Sequence, residues 1–173
     1  VSEFVDRAEQ KALQQWATEM EPFLKSNGGQ RAYGHIQDLP RVAEIHGIVR
    51  ERIETWLRLE DARPEPAIGW YLSIIDTEGA VHKHRDSTES GFRHLRCNLF
   101  IQASQMGGEP VIGGRAYPLQ DRMLLCFFPS ELVHWSLPAR GPQKRILCSF
   151  GYLVPDSYSL SEHARRPLPY DDK

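Results

Sequence analysis

A change of hydrophobic period at Ile68 limits this chain's possible folds more than any other feature. Before it, apolar residues recur at helical spacing. Phe4, Val5, Ala8, Ala12, Trp16, Met20, Phe23 and Leu24 share one face of a helix predicted over 2–27, opened by a Ser2 cap and closed at Gly28-Gly29. A second stripe of Val42, Ile45, Ile48, Val49, Ile53, Trp56 and Leu57 comes after Pro40 and stops at the breaker-rich Asp61-Ala-Arg-Pro-Glu-Pro66. Large aromatic residues on such stripes belong in a core, so both helices are expected to pack against the later part of the chain. From Ile68 the apolar runs shorten and alternate. They predict strands near 68–75, 81–85, 95–102, 109–112, 115–118, 122–128, 132–137 and 144–153. Turn residues separate them, as in Asp76-Thr-Glu-Gly79, Met106-Gly-Gly-Glu109 and Ala139-Arg-Gly-Pro142. The fold class expected is mainly β with N-terminal helices, its core a jelly roll or barrel of about eight strands.

A length of 173 residues fits one domain: helical support over 1–60, a β core over 68–154, and a polar, Pro- and Arg-rich tail over 155–173. The formal net charge of −2 gives no basic field, so neither nucleic acid nor an anionic membrane is an expected partner. The longest apolar runs, such as Met123–Phe128, fall far short of the roughly 20 residues a membrane span needs. Val1-Ser2-Glu3-Phe4 has no initiator Met and no leader pattern, as expected of a trimmed or partial chain. Cys97, Cys126 and Cys148 lie inside strand-like runs without disulfide or zinc spacing. Reduced core thiols, and with them a cytoplasmic location, are expected.

The chemistry-bearing residues cluster late in the chain. In Val81-His-Lys-His-Arg-Asp86, His84 and Asp86 stand two apart, so an extended backbone projects both to one side. His134, in Leu132-Val-His-Trp-Ser-Leu137, offers a third ligand from a distant strand. Two imidazoles and one carboxylate on one face, with other positions open, suit iron(II). An isolated His-x-Asp is more often a surface pair than a metal site, so it needs company. Arg145 supplies it, opening the apolar strand Ile146–Leu153, where its guanidinium can grip a carboxylate in a bidentate fork.

On these residues the chain resembles the 2-oxoglutarate/iron(II) oxygenase superfamily, whose pattern is His-x-Asp, roughly fifty residues, His, and about ten more to an Arg or Lys. Here the spacings are fifty and eleven. Gly107-Gly108-Glu109 and Leu124-Leu-Cys-Phe-Phe-Pro129 leading into His134-Trp-Ser-Leu-Pro138 are similar to the prolyl-hydroxylase branch. Ser87–Arg93 is similar to the amino-acid hydroxylases. The resemblance covers about 68–154 and implies a double-stranded β-helix. It implies His84, Asp86 and His134 as Fe(II) ligands and Arg145 as the anchor of 2-oxoglutarate, with O2 as the other co-substrate. The implied reaction hydroxylates an unactivated C–H bond of an amino acid, peptidyl residue or small natural product, releasing succinate and CO2.

The chain also departs from the family's patterns. Leu147 stands where one subgroup has Ser, so another hydroxyl must help hold the co-substrate, and Tyr71 is the candidate. Arg96 and Asn98 share a strand face opposite Cys97 and Leu99 and are candidates for a co-substrate or substrate carboxylate. His82 and Ser136 are expected to support the metal ligands. The other histidines, His35, His46, His94 and His163, are read as surface or satisfied polar residues. Two alternatives stay open. His82, His84 and Glu89, with Pro129 before His134, partly match a cupin metal pattern, though Glu131 occupies the place of its glycine and Arg145 goes unexplained. A non-catalytic β-sandwich binding module is the other.

Overall fold

The computed structural model describes residues 1–28 and 30–164. Its order is α1 (Arg7–Met20), β1 (Lys25–Ser26), β2 (Arg31–His35), α2 (Glu44–Leu57), β3 (Arg63–Pro64), β4 (Trp70–Ile75), β5 (Phe92–Gln102) and β6 (Met106–Gly107). Next come β7 (Pro110–Ile112), β8 (Arg115–Ala116), β9 (Met123–Phe127), β10 (His134–Ser136), β11 (Ala139–Arg140), β12 (Arg145–Pro155) and α3 (Leu160–His163). The fold is mainly β, with antiparallel pairing throughout. The largest sheet runs β1-β2-β4-β12-β5-β9, with β3 beside β12; a second runs β10-β7-β8, and β6 pairs with β11.

Strand register divides the large sheet into two unlike faces. Because side chains alternate, partners such as Arg31, Ile75 and Arg145, or Ser149 and Asn98, fall on the same side. One face carries Leu72, Ile74, Leu95, Cys97, Leu99, Ile146, Cys148 and Phe150 and packs against Leu13, Trp16 and Met20 of α1 and Val49, Ile53 and Trp56 of α2. This apolar layer is the core. The opposite face carries Arg31, Tyr33, Tyr71, Ser73, Arg96, Asn98, Arg145 and Leu147, and lines a cavity closed from the other side by Pro110, Ile112 and β10.

Several boundaries differ from expectation. The first helix starts at Asp6, not Ser2: Asp6 Oδ1 accepts from Glu9 N at 2.8 Å while Glu9 Oε2 accepts from Asp6 N at 2.9 Å. That reciprocal pair satisfies two otherwise orphaned donors, which a hydroxyl at residue 2 does not match. Ser2 Oγ reaches Gln120 instead. Pro22 ends α1 early in a tight turn, and the freed chain forms β1 and β2, two strands absent from the expected set. Segment 81–85 is no strand. It makes a single bridge, His84 with His134, because exposed His82, Lys83 and Arg85 give it no second apolar face to bury. Of the expected tail, α3 is formed and Tyr158 donates its hydroxyl to Leu57 O at 2.8 Å; residues 165–173 lie outside the described residues. No helix among the described residues is long and apolar enough to cross a membrane.

His46 is not at the surface but buried in α2, stacked on Phe150 at 4.9 Å, with Nε2 unpartnered. Burial, then the charge of Arg50, lowers its pKa from 6.5 to about 4. The unfolded chain therefore binds a proton that the fold refuses, and stability falls as pH drops from 6.5 towards 4. Between pH 7 and 5 the expected loss from this group is about 2 kcal/mol. Urea unfolding at both pH values should show a shallower pH dependence in His46→Phe than in the parent; equal slopes would refute the assignment.

Candidate functional site

His84, Asp86 and His134 converge at one end of the cavity, their ligand atoms within 4.8 Å of one another. Backbone pairing sets this up. His84 and His134 exchange N–H···O bonds of 3.0 and 2.8 Å, so the two strand-like segments align and the rings lie 4.2 Å apart. Asp86, two residues on, points the same way. Its Oδ1 lies 3.3 Å from His84 Nε2 and 3.8 Å from His134 Nε2.

The ring orientation of each histidine is fixed from behind. Nδ1 of His84 meets the carbonyl of His82 at 2.6 Å, and Nδ1 of His134 meets that of Leu132 at 3.1 Å. With a proton on each Nδ1, both Nε2 atoms face Asp86: when protonated, His84 Nε2 donates to its carboxylate, and when free of that proton each Nε2 is available as a ligand atom. His82 thus supports the site through its main chain while its side chain is exposed. Ser136, buried, accepts from Val81 N at 2.9 Å and locks the segment carrying His84 to β10.

Asp86 is ionised against its burial. Burial acts to raise its pKa, but the His84 hydrogen bond and the charges of Arg96, His134 and His94 outweigh this and hold it at about 2. The same bond raises His84, and burial lowers His134. Two imidazoles and a carboxylate, open to a cavity of about 310 Å³, form a donor set that fits iron(II) with room for other ligands.

Arg96 Nη2 lies 3.3 Å from Asp86 Oδ2 and 3.9 Å from Glu65 Oε2, and Nη1 donates to Ser149 Oγ at 3.2 Å. The structure thus joins it to Asp86. His94 and Glu65 complete the cluster, and the sequence reading missed both. His94 is buried, with Nδ1 3.7 Å from Asp86 Oδ2. The Glu65 carboxylate accepts from the backbone N–H groups of Ala67, Ile68 and Gly69 at 2.8, 2.8 and 3.1 Å. His94-x-Arg96 alternation and a Glu between two prolines were the available signals.

Arg145 is the odd cation. It is 3% exposed, with one hydrogen bond, Nη1 to Gly108 O at 2.6 Å, and its Nε has no partner. Burial, then the charge of Arg31, lowers its pKa to about 10. Gly107 and Gly108 take positive φ and leave no room for a side chain, since a Cβ on Gly107 would meet Pro138 O. That bare turn lets the Gly108 carbonyl reach Arg145. Tyr71, Ser73 and Asn98 line the same cavity, with Asn98 Oδ1 unpartnered. Glu89, a cupin-type ligand candidate, pairs instead with Arg63 at 2.5 Å.

No family model matches the sequence, and no curated protein matches it in sequence. Solved structures do match the fold. The viral collagen prolyl hydroxylase of Paramecium Bursaria Chlorella virus-1, in its 2-oxoglutarate complex, superposes with a TM-score of 0.67 at 13% identity, covering 89% of this chain and 94% of its own. A Trichoplax adhaerens prolyl hydroxylase gives 0.68 at 14% identity, covering 95% and 84%. HygX from Streptomyces hygroscopicus, with nickel and 2-oxoglutarate bound, gives 0.67 at 10% identity, covering 91% and 82%. At such identities the likeness is one of architecture: the chain shares its fold with these two prolyl hydroxylases and with HygX.

Proposed function

We propose that this chain is a single-domain Fe(II)/2-oxoglutarate-dependent dioxygenase on a double-stranded β-helix, hydroxylating an unactivated C–H bond and releasing succinate and CO2. The observation that carries the reading is Arg145: a buried guanidinium with no carboxylate partner among the described residues, in the same cavity as a two-histidine, one-carboxylate cluster. A buried unpaired cation is costly, and a dicarboxylate anchored there would offset that cost. A cupin-type metal enzyme or a binding module would leave Arg145 without a role.

In this reading His84, Asp86 and His134 hold the metal, and Arg145 takes the far carboxylate of 2-oxoglutarate, helped by Tyr71 or Ser73. Arg96, with His94 and Glu65 behind it, is a positioning residue that fixes the Asp86 carboxylate, while Asn98 presents an open acceptor to the cavity. The bound iron and 2-oxoglutarate together supply O2 activation, in which 2-oxoglutarate becomes succinate and CO2 and one oxygen atom enters the substrate C–H bond. The chain's share is to orient these groups and keep water from them; Phe100 and Leu147, with Met123 packed behind them, form the dry floor. The substrate is an amino acid, a peptidyl residue or a small natural product. Among the fold's relatives one binds a peptide fragment and another hygromycin B. A cytoplasmic location accords with three thiols built into strands.

Anaerobic addition of iron(II) and 2-oxoglutarate should give a weak visible charge-transfer band, and a candidate substrate should release succinate with a +16 Da product. His134→Ala removes one of three ligands, so iron affinity should fall by about 100-fold or more. Isothermal titration with iron(II) checks this, and unchanged affinity would mean the metal sits elsewhere. Arg145→Met should weaken 2-oxoglutarate by about 30-fold or more while barely moving iron affinity. Without co-substrate the variant should be at least as stable as the parent, and it should lose the thermal shift that 2-oxoglutarate gives the parent. An unaltered 2-oxoglutarate titration would remove Arg145 as the anchor.

A further inference from the structure

β2 brings Arg31, Tyr33 and His35 onto the cavity face of the sheet. Arg31 pairs with Ile75 of β4 from one side as Arg145 pairs with it from the other. The two guanidiniums thus arise on the same face about 10 Å apart, two strand spacings. Their charges interact: after burial, Arg31 is the next cause that lowers Arg145.

The cavity's cations can be matched to anions one by one. Arg96 has Asp86 and, further off, Glu65. Arg145 has, in the proposed function, the distal carboxylate of 2-oxoglutarate, whose other carboxylate belongs at the metal. Arg31 is left over. Its Nε donates to Ser73 Oγ at 3.2 Å, and its guanidinium sits 5.3 Å from the Tyr33 ring and 6.0 Å from that of Tyr71. Among the described residues no carboxylate oxygen lies within 4.0 Å of it, and neither terminal nitrogen makes a hydrogen bond. Ser73 and the two rings fix the plane of the guanidinium and leave its fork open. Tyr33 stands edge-on to Tyr71 at 6.3 Å and to His35 at 6.1 Å, so an aromatic wall continues from the fork.

We propose that Arg31 binds a carboxylate of the substrate, with Tyr33, Tyr71 and His35 walling its organic body. This rests on the oxygenase reading and narrows it to an acidic substrate. The enclosed space of about 310 Å³ must also hold the co-substrate, so the substrate part that enters is small. A free amino-acid-type acid and an acidic side chain on a peptide share this chemistry.

The test is thermal unfolding of the intact chain, anaerobic, with iron(II) and saturating 2-oxoglutarate. Titrants are free L-amino acids, their amides, and N-acetyl-aspartate and N-acetyl-glutamate amides with their asparagine and glutamine counterparts. An acid should raise the parent's melting temperature where the partner with an amide in place of its carboxylate does not. Arg31→Gln should weaken that acid's effect at least tenfold, and Arg31→Lys, which keeps the charge, should restore part of it. The 2-oxoglutarate titration should move less than twofold in Arg31→Gln. Shifts by free amino acids or by the blocked acidic residues identify the source of the carboxylate. Equal shifts by acid and amide, no shift by any acid, or a loss of 2-oxoglutarate affinity matching the loss for the acid would each overturn the proposal. If 2-oxoglutarate itself gives the parent no shift, the oxygenase reading fails instead, and the acid-against-amide comparison still decides Arg31.

Discussion

Two buried guanidiniums, Arg96 and Arg145, stand on the two longest strands, and burying such a charge costs several kcal/mol unless an anion meets it. The polar half of the molecule is arranged around that demand. Arg96 is met by Asp86, whose carboxylate is held ionised by the His84 hydrogen bond and then by the Arg96 charge. Glu65 stands behind it, its own charge spread over three backbone N–H groups of the 67–69 turn. Arg145 is met by one carbonyl from a turn that only glycines can make. Among the described residues Arg96 thus has a carboxylate partner and Arg145 has none, the difference on which the proposed role of Arg145 rests.

The alternation of the same strands makes this arrangement possible. On β12, Ile146, Cys148, Phe150 and Tyr152 lie in the helix-packed layer while Arg145, Leu147 and Ser149 face the other way. A one-residue slip would put Arg145 among Trp16 and Val49 and Ile146 in the cavity, so hydrophobic burial on one face enforces the placement of charge on the other. The bulge where β12 meets β5, between Ile146 and Leu147, falls beside Arg145 at the strand's start. That is where a ladder can re-aim a side chain without disturbing the apolar layer beyond.

The candidate ligand cluster was legible in the sequence because His84-x-Asp86 needs only two-residue periodicity, and the spacing to His134 and Arg145 survives any loop conformation. The helices were legible from their apolar stripes, but not the start of α1: Phe4 and Val5 are buried, yet they precede the Asp6–Glu9 capping box rather than belong to the helix. β2 was illegible for a different reason. Arg31-Ala-Tyr-Gly-His35 offers polar and aromatic side chains to the cavity and only Ala32 and Gly34 to the other face, so it has no hydrophobic stripe to detect. Gly34 is small because Leu24 and Leu39 close over it; a Cβ there would lie 2.9 and 3.1 Å from their methyl groups. His94 and Glu65 escaped because their side-chain partners, Asp86 for His94 and Arg96 for Glu65, come to them through tertiary structure.

β2 lies outside the 68–154 stretch that carries the recognisable motif, yet it extends the same sheet face by one strand beyond β4. The motif-bearing strands β4, β5, β10 and β12, with the 81–86 segment, supply what the proposed chemistry needs in common with other members of the fold: a metal face, an anchor and a dry floor. A strand next to the edge carries fewer of those constraints, because its register with β4 decides which of its side chains enter the cavity while its outer neighbour, β1, covers the ladder beyond. Selectivity placed there can change without disturbing Asp86 or Arg145. Arg31, which has no carboxylate oxygen within 4.0 Å among the described residues, falls at that position, on a strand whose larger side chains face the cavity and whose Ala32 and Gly34 alone face the apolar layer.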